Sequence, residues 1–111
     1  MASARDLSRE GLRAVAARHS WAELAEAEAE VAEGRARALK REYEAMSAQS
    51  LGFARIAREK LGSPEGHEAF ERHKMLHGSA RTLFALYRRA ELEAQRKCRV
   101  ARLERNAEAS A

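Results

Sequence analysis

Large apolar residues recur at intervals of seven through the first half of the chain. The series is Leu24, Val31, Leu39, Met46 and Phe53. A seven-residue repeat keeps one stripe of an α-helix against a neighbour, so the pattern predicts a long packed helix over residues 21–61. The step between Val31 and Leu39 is one residue too long, which predicts a local change of winding near Gly34.

A second helical pattern covers residues 64–105. Its predicted seam is Ala69, His73, Leu76, Ala80, Leu83, Tyr87, Ala90, Ala94 and Ala101, widened by Phe70, Phe84 and Cys98. No proline interrupts either pattern, because the single proline of the chain, Pro64, opens the second one. The spacing therefore predicts two long helices of similar length.

The stretch EKLGSPEGHEAF, residues 59–70, separates the two patterns. Gly62 suits the left-handed residue that ends a helix. Ser63 is a favourable N-cap, and Pro64 is favoured at the first helical position. Because so short a connection forces neighbouring helices to run antiparallel, we expect the bend of a hairpin and neither a domain linker nor a phosphate-binding loop.

The remaining segments are predicted to be short. Residues 1–19 carry a weak apolar periodicity and are expected to form a short N-terminal helical arm. Ser20 and Glu23 form a capping box that starts the first long helix. Residues 106–111 are expected to be a fraying tail. The predicted fold class is all-α: a short N-terminal helix followed by a coiled-coil-like antiparallel hairpin over residues 20–105.

Charge predicts the same antiparallel arrangement. Residues 21–34 contain five glutamates and no base, whereas residues 96–105 are rich in arginine and lysine. A bend at residues 62–63 would bring these segments together, and the expected pairs are Glu23 with Arg102, Glu26 with Arg99 and Glu28 with Lys97. Exposed pairs contribute little individually but favour one register.

Composition makes the predicted core thin. Of the 111 residues 25 are alanine, and aromatic residues make up only 5%. Alanine favours helix but contributes little burial. We therefore expect that a larger protein assembly, or a second copy of the chain, completes the burial.

The compartment is expected to be intracellular. The single cysteine, Cys98, excludes an intrachain disulfide, and no apolar run approaches the ~18 residues of a membrane span. A cytoplasmic location is the default expectation. A mitochondrial or other organellar address stays open, because arginines are interspersed with serines and alanines in the first twenty residues, although two acidic residues there count against a presequence.

Candidate chemistry is sparse. His73 and His77 lie one helical turn apart, so their rings could share a metal ion, but a third ligand would have to come from the other helix. Cys98 is expected to be a small core filler. Because no plausible nucleophile–base pair or phosphate loop is present, the sequence predicts a non-catalytic protein without a cofactor.

The sequence therefore favours a structural or adaptor subunit that docks through helical faces. Large apolar residues off the seam are the candidate partner contacts: Trp21, Leu51, Met75, Leu86, Leu92 and Leu103. The alternative is a basic RNA- or DNA-binding accessory protein, suggested by the net charge of +4. Its candidate residues are Arg88, Arg89, Arg96, Lys97, Arg99 and Arg102. The opposing glutamates are expected to neutralise part of this set.

Overall fold

The structure is a computed structural model that describes residues 20–110. These residues form two α-helices, α1 (Trp21–Glu59) and α2 (Pro64–Ser110), and no strand. The two helices make a helical hairpin, which confirms the all-α fold class. The helical arm predicted for residues 1–19 lies outside the described residues.

The chain divides into two compact units, and each contains a part of both helices. The bend unit is Glu33–Leu92, and the terminal unit combines Met1–Ala32 with Glu93–Ala111. The structure describes residues 20–32 and 93–110 of the terminal unit. Within each unit, α1 and α2 pack side by side in opposite directions.

The bend forms as the sequence predicts. Gly62 has a φ of +85°, a left-handed conformation that glycine adopts without strain. The Ser63 hydroxyl accepts a hydrogen bond from the amide of Gly66 at 3.0 Å and donates one to the carbonyl of Lys60 at 2.6 Å. One serine thus satisfies a donor at the start of α2 and an acceptor just after the end of α1.

Gly66 packs closely against the end of α1. It is buried, and a Cβ atom built on it would overlap the carbonyl oxygen of Lys60. No side chain can be accommodated there unless the backbone moves. The close approach of the two chain segments at the bend therefore depends on glycine.

Two hydrogen bonds satisfy backbone amides in the first turn of α1. The amide of Glu23 donates to the Ser20 hydroxyl at 3.1 Å, as expected for the N-cap of α1. The amide of Ala22 donates to the Glu108 carboxylate at 3.3 Å. Helix α2 continues to Ser110, beyond the predicted helix end at residue 105. Glu108 supplies a physical reason, because it holds this last part of α2 against the start of α1.

The seam of α1 contains Leu39, Met46 and Phe53 of the predicted series, but alanines replace Leu24 and Val31 in its first part. It runs without interruption through two seven-residue series: Ala22, Ala29, Ala36, Tyr43, Ser50 and Ala57, and Ala25, Ala32, Leu39, Met46 and Phe53. Val31 is 74% exposed, whereas Ala32 is buried. The predicted slip near Gly34 is therefore wrong, and α1 is regular helix at that point. Because the alanines admit a closely approaching partner helix, they occupy the positions that bulky residues were expected to fill.

The seam of α2 agrees with the prediction. All nine of its residues are buried or half-buried. Phe70 and Phe84 lie at its margin and are 47% and 44% exposed, and Cys98 is half-buried. Among the described residues, the buried apolar side chains are all alanines, so neither unit encloses a large apolar side chain completely.

The predicted ion pairs are partly correct. Lys97 lies 3.7 Å from Glu28, as expected. Glu26, however, pairs with Arg105 and not with Arg99. Helical side chains lean towards the N-terminus of their own helix, so in an antiparallel pair long side chains meet residues beyond those directly opposite. The pair of Glu23 with Arg102 is likewise not found.

Candidate docking surface

One edge of the bend unit carries an exposed row of ring side chains. Phe70, His77 and Phe84 are seven residues apart, so they occupy the same position of the α2 repeat and point to the same side. Leu61, 88% exposed, lies beside Phe70 at the bend. We call these four residues the apolar edge.

The first hollow of this edge lies at the bend itself and has a volume of about 340 Å³. Its walls are Ala57, Leu61, Gly62, Ser63, Gly66, His67 and Phe70. The small residues on the chain reversal leave this space between the larger side chains. His67, for which the sequence suggested no role, is one of the walls.

The second hollow has a volume of about 310 Å³ and is lined by Tyr43, Ser47, His77, Ala80, Arg81 and Phe84. The Tyr43 and Phe84 rings cross between the helices with centroids 5.2 Å apart and tilted by 49°. Tilted aromatic pairs of this kind are stabilising. This contact holds the Phe84 ring, and the buried Ala80 leaves room beside it.

Charge along the edge is mainly positive. The Lys74 ammonium group lies 5.1 Å from the centroid of the Phe70 ring and 3.1 Å from a Glu71 carboxylate oxygen. Arg81 contributes to the second hollow and makes no ion pair with any described residue. A ligand on this edge would meet aromatic faces flanked by cations.

Glu91 occupies the next position of this row beyond Phe84. The Tyr87 hydroxyl donates to Glu91 at 2.5 Å, and this hydrogen bond raises the pKa of Tyr87. Glu91 also pairs with Arg88 at 2.5 Å. This carboxylate is therefore engaged on two sides.

The histidines do not form a metal site within residues 20–110. The Nδ1 atom of His73 lies 2.9 Å from the Ser50 hydroxyl and 3.0 Å from the Ser50 carbonyl oxygen. The rings of His73 and His77 are 5.8 Å apart. No group of three His, Cys, Asp or Glu residues that could hold a metal ion occurs in this part of the chain. The His73 ring instead links the two helices through the buried Ser50.

The six partner-contact candidates from the sequence are all exposed, but they do not lie on the apolar edge. Trp21 and Leu103 belong to the terminal unit, and the other four belong to the bend unit. Sequence reasoning assigned Phe70 and Phe84 to the seam and so missed the edge. The available signal was the spacing of Phe70, His77 and Phe84, which separates this row from the seam.

The basic candidates fall into two groups. Arg88, Arg96 and Lys97 are paired with Glu91, Glu93 and Glu28, respectively. Arg89, Arg99 and Arg102 are exposed and make no ion pair with any residue in the described part of the chain. The expected neutralisation of the basic set by opposing glutamates is therefore incomplete.

Comparisons with protein-family models, with curated proteins and with solved structures find no match for this chain. Neither α1 nor α2 has an apolar stretch long enough to cross a membrane.

Proposed function

We propose that this protein is a non-catalytic structural or adaptor subunit that docks onto a larger protein assembly through the apolar edge of its bend unit. The observation that carries the proposal is the contrast between the buried and exposed apolar residues of this unit. Its buried apolar residues are Ala36, Ala69 and Ala80, while large apolar side chains of the edge face solvent.

The energetics favour coverage of this edge by a partner. Full burial of a leucine or phenylalanine side chain contributes about 1.5–3 kcal/mol, whereas alanine contributes much less. Leu61, Phe70 and Phe84 retain roughly half or more of their surface in contact with water. The hollows beside them can accept side chains of a partner, which is how a helix docks in a groove.

The chemistry of the edge specifies the kind of partner. A helix with apolar residues repeating every seven positions would match the row formed by Phe70, His77 and Phe84. Acidic residues flanking that stripe would complement Arg81 and Lys74. The proposed partner segment is therefore an acidic amphipathic helix of another protein.

A designed peptide tests this assignment. The probe is a labelled helix with leucines at seven-residue spacing flanked by glutamates, and its counterpart carries lysines in place of the glutamates. We expect fluorescence anisotropy to show binding of the acidic peptide and none of the basic one. Phe70→Gln combined with Phe84→Gln should weaken binding by tenfold or more, because each loses aromatic burial.

A matched variant provides the control. Leu51→Gln combined with Met75→Gln changes two large residues of the same unit that are more exposed than Phe70 and Phe84 and lie off the edge. This variant should bind the acidic peptide like the parent. If both variants lost the same affinity for the acidic peptide, the assignment to this edge would be overturned. Concentration-dependent self-association that disappears in the edge variant, measured by sedimentation, would instead assign the edge to a second copy.

A further inference from the structure

We infer that the outward face of α2 binds the phosphate backbone of a double-stranded nucleic acid. This face lies beside the apolar edge, and Lys74 and Arg81 border both surfaces. The face consists of the three repeat positions farthest from the seam, and every residue at those positions from 74 to 106 is exposed. Nothing in the fold of either unit covers it among the described residues.

The charge of this face has a single sign. It carries no acid in either unit between residues 74 and 106. Its bases are Lys74, Arg81, Arg88 and Arg89 in the bend unit, and Arg96, Arg99 and Arg102 in the terminal unit. The acids of this part of α2 lie at other repeat positions, as Glu91, Glu93 and Glu104 show. A face without acids differs from the mixed charge expected of an ordinary solvated helix.

The outward face of α1 shows that this asymmetry is not a general property of the chain. At the equivalent positions α1 carries four bases, namely Arg37, Arg41, Arg55 and Arg58. It also carries four acids, namely Glu23, Glu30, Glu44 and Glu59. The formal charges of that face cancel, so the positive face is a property of α2.

Four of the arginines are available for a ligand. Arg81 and Arg89 in the bend unit, and Arg99 and Arg102 in the terminal unit, make no ion pair with any residue from 20 to 110. Glu26, the carboxylate expected opposite Arg99, pairs with Arg105 instead. Each unit thus presents arginines whose charge no described carboxylate offsets.

The residue types identify the ligand. The guanidinium group presents a planar fork of donors that suits phosphate, and six of the seven bases are arginine. Single-stranded nucleic acid is usually bound by aromatic side chains that stack on bases, and none occurs on this face between residues 74 and 106. The chemistry therefore favours duplex phosphates, bound without recognition of base sequence.

The experiment measures the affinity of the full chain for a short mixed-sequence DNA duplex and for the equivalent RNA duplex between about 50 and 200 mM salt. We expect affinity to fall steeply as salt rises. Replacing Arg81, Arg89, Arg99 and Arg102 with Gln should make the slope of log K against log salt shallower by about 3 to 4, since each lost phosphate contact accounts for about 0.9. The ratio of DNA to RNA affinity then identifies the preferred duplex.

The matched control replaces Arg35, Arg41, Arg55 and Arg58 of α1 with Gln. These arginines are equally exposed, and the change in net charge is the same. This variant should retain most of the salt slope of the parent. If the salt slope of duplex binding fell equally in the two variants, binding would depend on net charge alone, and the assignment to α2 would be overturned. Binding of polyglutamate as tightly as duplex, or no duplex binding at low salt, would overturn the inference outright.

Discussion

The terminal unit and the bend unit are built from the same two helices but are stabilised in different ways. In the terminal unit the buried apolar residues are Ala22, Ala29, Ala32, Ala94 and Ala101, and ion pairs connect α1 with α2. In the bend unit aromatic and histidine contacts connect the helices, through Tyr43 with Phe84 and Ser50 with His73. A regular alanine repeat therefore suffices for close helix packing, whereas bulky side chains leave hollows that a ligand can enter.

The largest effect is expected at the chain reversal of the bend unit. Gly66→Ala should lower the free energy of unfolding by about 3 kcal/mol, because its Cβ would overlap the backbone of Lys60 and force the bend to shift. Urea unfolding followed by circular dichroism measures the change. Gly78→Ala is the control, since nothing lies within 4 Å of its added Cβ. It should stabilise the protein by up to about 1 kcal/mol. A Gly66→Ala variant with the same free energy of unfolding as the parent would contradict the close packing described for the bend.

The next effect tests the alanine seam of the terminal unit. Ala29→Leu should destabilise the protein by about 2 kcal/mol, because a larger side chain cannot fit between closely packed helices. Thermal and urea unfolding provide the measurement. Ala27→Leu introduces the same side chain at an exposed position of the same helix and should change stability by less than about 0.5 kcal/mol. If both variants were equally stable, the seam would not be closely packed.

A smaller effect is expected for the aromatic contact of the bend unit. A double-mutant cycle with Tyr43→Leu and Phe84→Leu should give a coupling energy of about 1 kcal/mol, because the two rings interact directly between the helices. The cycle uses unfolding free energies of the parent, both single variants and the double variant. As a reference, Tyr43→Leu combined with Leu92→Ala should give additive values, because Leu92 is exposed and lies on the outward face of α2. Additive values for Tyr43 and Phe84 would mean that their contact contributes nothing specific.

The smallest effect concerns the ion pair of Lys60 and Glu65 across the bend. The Lys60 ammonium group lowers the pKa of Glu65, and Glu65 raises the pKa of Lys60. A lowered folded-state pKa stabilises the protein above the ordinary pKa of glutamate, and this stabilisation is lost as pH falls through the folded-state value. Glu65→Gln should therefore be slightly less stable than the parent at neutral pH, and the difference should vanish in acid.

Unfolding measured from neutral to acidic pH tests this ion pair. Glu42→Gln is the control, because Glu42 is exposed and makes no ion pair with a described residue. The difference in unfolding free energy between Glu42→Gln and the parent should not decrease in acid in the way expected for Glu65→Gln. A difference for Glu65→Gln that persists unchanged into acid would show that the side chain acts through something other than its charge.

The sequence by itself determined the helices and the bend, because these depend on local chemistry. The signals that start and end the helices act within a few residues, so the sequence alone predicted each of them. They are the N-caps Ser20 and Ser63, the left-handed Gly62 and the first-turn Pro64. The seam of α2 was predicted from the sequence as well, because most of its positions are apolar at alternating spacings of three and four residues.

Only the tertiary structure decided which residues of α1 face α2. Val31 is the more hydrophobic candidate, yet Ala32 takes the buried position, because the space between two close helices selects small side chains. The sequence likewise did not determine the ion-pair partners of long charged side chains. Because these side chains lean along their own helix, Glu26 pairs with Arg105 and not with the residue directly opposite. The spacing of Phe70, His77 and Phe84 was visible in the sequence, but only the structure shows that this row is exposed and which arginines of α2 are unpaired among the described residues.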